Sequence, residues 1–192
     1  DAALRVSTRA ELVRLHRELS ATMIYVTHDQ VEAMTMGDRI CIMKDGEVAQ
    51  VGKPMDVYMQ PANTFVASFL GNPPMNLIAA TASPGGVTVQ GSEFAVMAGA
   101  PGTPVTFGVR PEDLAPVDET GPGQLAGNVI AVEPLGAETL ITADVGGTSV
   151  VVRGPREAKA RIDEPIRLAA RADMVRLFDP ATGLALNLET AA

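Results

Sequence analysis

Glycine and proline are spread so unevenly along this chain that one uniform architecture cannot hold all of it. The first 70 of its 192 residues contain 3 of the 18 glycines and 2 of the 14 prolines. Both residues punctuate: glycine accepts a positive φ, and proline fixes φ and removes a backbone donor. A stretch poor in them can build uninterrupted elements, whereas a stretch rich in them must turn every few residues. A change of architecture is therefore expected near residue 71. Charge shifts at the same place, with 7 Lys+Arg against 9 Asp+Glu over residues 1–70 and 8 against 14 beyond.

The poor stretch predicts alternating helix and strand. Leu12, Leu15 and Leu19 recur at helical spacing among Arg9, Glu11, Arg14, Arg17 and Glu18, so residues 4–19 read as an amphipathic helix. "TMIYV", 22–26, is a continuous apolar run too short for a buried helix, and it suits a strand covered on both faces. Asp29 with Glu32 three residues on has the form of a capping box, so a helix should run to about Met36. Asp45-Gly46 between 39–43 and 47–51 signals a tight hairpin. Pro54 can open a helix over 55–59, and Asn63 can cap another over 64–70 that Gly71 ends. Beyond Asn72, short runs at 86–90, 93–97, 104–109, 125–132, 138–144, 148–152, 166–170 and 174–178 predict a small β-barrel or sandwich.

His28 then lies where a strand feeds a helix. At such carboxyl edges of α/β sheets ligands bind, and an imidazole can hydrogen-bond a phosphate oxygen or orient an attacking water. The plainer reading is a polar residue completing a turn before an N-cap. Composition bounds the alternatives. A net charge of −8 argues against binding nucleic-acid phosphates, as does the absence of tryptophan from the β-rich part. One cysteine, Cys41, permits no internal disulfide, fits a reducing compartment, and reads as a small core residue in its strand. With two histidines and one cysteine a Cys/His zinc site is not expected, and His16 reads as solvated or partly packed. No run approaches the roughly 18–20 apolar residues of a membrane helix. The start "DAALR" shows no initiator methionine or secretory signal and reads as part of a longer chain.

The stretch "VTHDQVEAMTMGDRICIMKDGEVAQVGKPMDVYMQPANTFVASFLGNPPMN" resembles the end of the ATPase domain of ABC transporter ATP-binding subunits, within the subfamily that drives bacterial sugar and glycerol-phosphate importers. "GVRPEDL" (108–114), "VEPLGAETLI" (132–141) and "RLFDPATGLAL" (176–186) resemble that family's C-terminal TOBE, or OB-like, regulatory region. The resemblance covers essentially the whole chain. It implies an α/β remnant of a P-loop ATPase domain over 1–71, followed by an all-β OB-like/TOBE barrel over 72–192. It implies that His28 is the switch histidine beside the γ-phosphate, and that Asp1 closes the D-loop at a dimer interface. ATP and Mg²⁺ are implied as cofactors of the full-length protein. The implied partners are a second copy of the subunit, the transmembrane permease subunits, and a regulatory protein or ligand on the barrel. The implied location is cytoplasmic, on the inner face of the cell membrane.

The P-loop, glutamine loop, signature loop and Walker B strand of such an ATPase are not among these residues. Gly52-Lys53 is a decoy: Glu47 stands where the loop's first glycine belongs, and Pro54 replaces the hydroxyl that would hold magnesium. The expectation is a piece without ATPase activity or bound cofactor of its own. The rival reading is a free-standing regulatory or small-ligand-binding β-domain, recognising a carbohydrate or an inhibitory protein. In either case the incomplete α/β layer should leave an apolar face uncovered.

Overall fold

The computed structural model describes residues 2–19, 21–96 and 99–186. Two compact units divide the chain, Asp1–Gln60 and Pro61–Ala192. In the first, helix α1 (Ala2–Leu19) leads through an irregular stretch to helix α2 (Gln30–Met36), then to an antiparallel hairpin of β1 (Ile40–Lys44) and β2 (Glu47–Gly52), and to helix α3 (Pro54–Met59). The predicted N-caps and the hairpin turn form, although Glu32 does not close the capping box on Asp29. Asp45 and Gly46 both take positive φ (51° and 84°), as a primed two-residue turn requires. Pro54 occupies the first turn of α3.

Two expectations fail in this unit. Residues 22–26 form no strand: the backbone is irregular, and Ile24 and Val26 are 91% and 89% exposed. A strand exists only by pairing, and no described residue pairs with this run. Cys41 is exposed rather than in the core, because side chains alternate along β1. Ile40 and Ile42 point inward, while Cys41 and Met43 face out opposite Val51 and Val48. The apolar outer face of this hairpin thus lies open.

The second unit starts with helix α4 (Thr64–Phe69), capped by Asn63, whose side chain accepts the Val66 amide at 2.9 Å. Its strands are β3 (Asn76–Ser83), β4 (Gly86–Val89), β5 (Ser92–Phe94), β6 (Pro104–Val109), β7 (Leu114–Pro116), β8 (Gln124–Pro134), β9 (Glu138–Val145), β10 (Thr148–Pro155), β11 (Pro165–Ala170) and β12 (Arg176–Phe178). They form two antiparallel five-stranded sheets, ordered β12-β6-β3-β4-β5 and β10-β9-β8-β11-β7. Each expected run overlaps a strand, but residue 90 turns beyond β4, 95–96 follow the end of β5, 174–175 precede β12 in and just after a 3-10 turn, and residue 97 lies outside the described residues. β3, central in its sheet, and the short β7 were not predicted.

One core serves both sheets. Ile78, Val87, Phe94 and Phe107 of the first pack with Leu125, Ile141, Val152 and Leu168 of the second, all at 2% exposure or less. The rings of Phe94 and Phe107 meet at 4.8 Å between centroids, tilted by 51°. Asn76 clasps the sheets where they would otherwise part. Its Nδ2 donates to the Val151 carbonyl and its Oδ1 accepts the Val151 amide, each at 2.8 Å. β10 is an edge strand, so the clasp satisfies backbone groups that have no ladder partner.

Residues 179–185 close the unit. The Asp179 carboxylate accepts the amides of Ala181 and Thr182 and the Thr182 hydroxyl. Those bonds hold the group well on its ionised side, below the usual carboxylate range. Beyond this turn the Gly183 carbonyl accepts the Thr64 amide, and Ala185 donates to Ala62. The far end of the chain therefore pins the start of α4.

Candidate functional site

Around His28 the geometry is set by hydrogen bonds rather than by packing. Asp29 caps α2: its Oδ1 accepts the amides of Val31 (2.8 Å) and Glu32 (3.1 Å). In a standard capping box Glu32 would turn back to the Asp29 amide. Here that amide goes to Thr27 Oγ1 at 2.9 Å, and Glu32 Oε2 accepts the Thr27 hydroxyl at 2.6 Å and the Tyr25 hydroxyl at 3.2 Å. His28 sits between these two anchors with its side chain exposed. Asp1 lies outside the described residues.

These residues do not make a complete nucleotide site. The first amides of α2 are already taken by Asp29, so the helix N-terminus offers little to a phosphate. Gly52-Lys53-Pro54 ends a strand and starts a helix instead of forming a glycine-rich cradle. Among the described residues no group of three or more His, Cys, Asp or Glu side chains could hold a metal. What remains is His28, an exposed imidazole on a fixed turn, able to donate to or accept from one oxygen of a phosphate bound by other residues.

A second constellation lies in the second unit, at "GVRPEDL". The residues form a corner, with β6 ending at Val109, a 3-10 turn over Pro111–Asp113, and β7 beginning at Leu114. Arg110 is 2% exposed, and its Nη1 donates to the Leu70 carbonyl at the end of α4, 2.7 Å away. Asp113 is 4% exposed, with Arg171 Nη1 3.6 Å from its carboxylate and the Arg171 amide donating to its carbonyl. Sequence reasoning singled out these residues but not the burial of the guanidinium, for which an arginine just past a strand end gives no signal.

Burial, reinforced by the neighbouring Glu112 carboxylate, pushes the Asp113 carboxyl up; Arg171 and Arg110 only partly oppose this. The folded protein therefore holds this proton to higher pH than the unfolded chain. Its contribution to stability is complete below the unfolded value of about 3.9 and is lost as pH rises through the folded value. Asp113→Asn is expected to abolish that loss. Urea midpoints from pH 3 to 7 should fall less steeply, or rise more, in the variant than in the parent. Identical profiles would refute the assignment.

Comparison with known proteins matches two family models to parts of the second unit and longer relatives to most of the chain. The MalK OB fold domain matches residues 71–114 and the TOBE domain matches residues 107–178. The sn-glycerol-3-phosphate import ATP-binding protein UgpC of Ruegeria pomeroyi is 47% identical over 186 residues, 95% of this chain and 52% of its own length. The trehalose/maltose import ATP-binding protein MalK of Thermococcus litoralis is 44% identical over 203 residues, 97% of this chain and 54% of its own. The chain thus spans about half the length of the curated relatives it matches. Among solved structures, the molybdate-binding protein ModG aligns with 55% of this chain and 96% of its own, at a TM-score of 0.46 and 18% identity. Among the described residues no helix is long and apolar enough to cross a membrane.

Proposed function

We propose, for a chain that belongs over the stretch it spans to the family of sugar and glycerol-phosphate import ATP-binding subunits, that it works as the C-terminal part of such a subunit. The observation that carries this reading is identity above 40% along some 95% of the chain to import ATP-binding proteins about twice as long. In this reading residues 1–71 complete an α/β ATPase domain and residues 72–192 are its regulatory domain. His28 contacts the γ-phosphate of ATP, and Asp1 lies at the interface with a second copy. Magnesium and most of the nucleotide are held by residues outside this chain. The assembly docks on membrane permease subunits at the cytoplasmic face, and "GVRPEDL" lies at or near the contact between regulatory domains. The exposed run 22–26 supports the reading, since it has the composition of a sheet-interior strand and lacks only neighbours.

The test compares ATP binding and hydrolysis by this chain with the same polypeptide extended at its amino end to the length of its relatives. Activity is expected only in the extended form. His28→Ala there should lower the rate by about a hundredfold or more, the scale of one positioned proton-transfer or phosphate-contacting side chain. If the extension carries no P-loop and neither form touches ATP, the chain is a regulatory β-domain instead.

A further inference from the structure

We propose that Glu32 is the positioning residue for His28, acting through Thr27 and Tyr25; the proposal rests on the reading of His28 given above. Residues 21–27 have no sheet ladder among the described residues, and strands added by the extended polypeptide would pair their backbone without reaching the turn that holds His28. Hydrogen bonds supply the restraint. A single carboxylate oxygen of Glu32 accepts two hydroxyls, from residues five and seven positions upstream. Thr27 passes the restraint on, because its hydroxyl donates to Glu32 while its oxygen accepts the Asp29 amide. The chain Glu32–Thr27–Asp29 therefore runs past His28 on both sides, and each bond polarises the next. Asp29 is in turn fixed to α2 through its cap bonds. The imidazole itself stays outside this network, so Glu32 can set where His28 points without touching what it contacts.

The general capping role of an acidic residue at this helix position does not require this arrangement. A plain capping box would bond Glu32 to Asp29 and leave Thr27 and Tyr25 free. Here the carboxylate reaches past the cap to the two residues whose placement decides the strand-to-helix turn. Misplacing a reacting group by an ångström can cost about a hundredfold, so a loss of this restraint should be read in turnover.

The experiment uses the extended polypeptide and measures ATP hydrolysis at steady state. Glu32→Ala is expected to lower kcat by about tenfold or more while KM for ATP changes less than about twofold. Glu32→Gln keeps an oxygen acceptor and should recover most of the rate, and Thr27→Val should reproduce the alanine defect. In the 192-residue chain, Glu32→Ala should speed exchange of the Asp29 amide about tenfold and leave β8 and β9 unchanged. His28→Ala is run beside these. If it is inactive while Glu32→Ala turns over normally, the positioning role is overturned and the histidine's role stands. If His28→Ala turns over normally, the reading of the histidine itself fails. Exchange accelerated equally in β8 and β9 would make Glu32 a general stabiliser and overturn the proposal.

Discussion

Phe107→Ala is expected to destabilise the second unit by about 3–5 kcal/mol, the range for deleting a fully buried aromatic ring. The ring is completely enclosed, lies on β6 between β3 and β12, and packs against Phe94 from the opposite edge of the same sheet. Its neighbours belong to strands tied into the two sheets by backbone ladders, which limits how far they can collapse into the space. Phe69→Ala serves as the control: that ring is 41% exposed on α4, stacks on Phe65, and should cost less than about 1 kcal/mol. The measurement is urea unfolding followed by far-ultraviolet circular dichroism. Tyrosine emission gives a separate view of the first unit, because the chain has no tryptophan and both its tyrosines, Tyr25 and Tyr58, lie there. A Phe107 variant within about 1 kcal/mol of the parent would mean that the two sheets do not share a single packed core.

Asn76→Ala should cost about 2–4 kcal/mol, from two lost hydrogen bonds and the small void left behind. A hydrogen bond between groups that water could serve instead contributes only about 1 kcal/mol. The clasp is worth more, because removing it leaves both the amide and the carbonyl of Val151 without partners beside a 7% exposed side chain. Asn76→Asp separates the two halves: it retains the acceptor for the Val151 amide and sets a carboxylate against the Val151 carbonyl. It should be at least as damaging at neutral pH and should recover on acidification. An alanine variant with an unchanged urea midpoint would show that water replaces the clasp without penalty.

What the sequence makes legible here are features whose cause lies within a few residues. The Asp45-Gly46 hairpin, the caps at Asp29 and Asn63 and the proline that opens α3 all follow from local dihedral or capping chemistry. Features whose cause is distant are not legible. β3 reads "NLIAATAS", whose three alanines carry no β-branched signal, and it becomes a central strand through the pairing offered by β4 and β6. The run at 22–26 fails for the converse reason, having strand composition without a partner. At the candidate site His28 and its cap could be read from the motif. The diversion of Glu32 to Thr27 and Tyr25 could not, because the capping-box pattern predicts a different bond for the same residue. Arg110 and Asn76 show the same limit, since each polar side chain is buried by a partner 40 or 75 residues away.

The order of strands also constrains how the second unit can be made. β11 lies between β8 and β7, so β7 waits some fifty residues for its neighbour. β12 completes the edge beside β6, and the bridge from Leu184 to Asn63 joins the last described turn to the first helix of the unit. During synthesis, a growing chain can form the β3–β4–β5 meander early, but its core stays open until residues near 185 have left the ribosome tunnel. Each newly made molecule therefore passes through a stage with exposed half-sheets, when chaperones and aggregation compete for it. A premature stop between β10 and β12 would hold the protein at that stage, even though most of its strands had been translated.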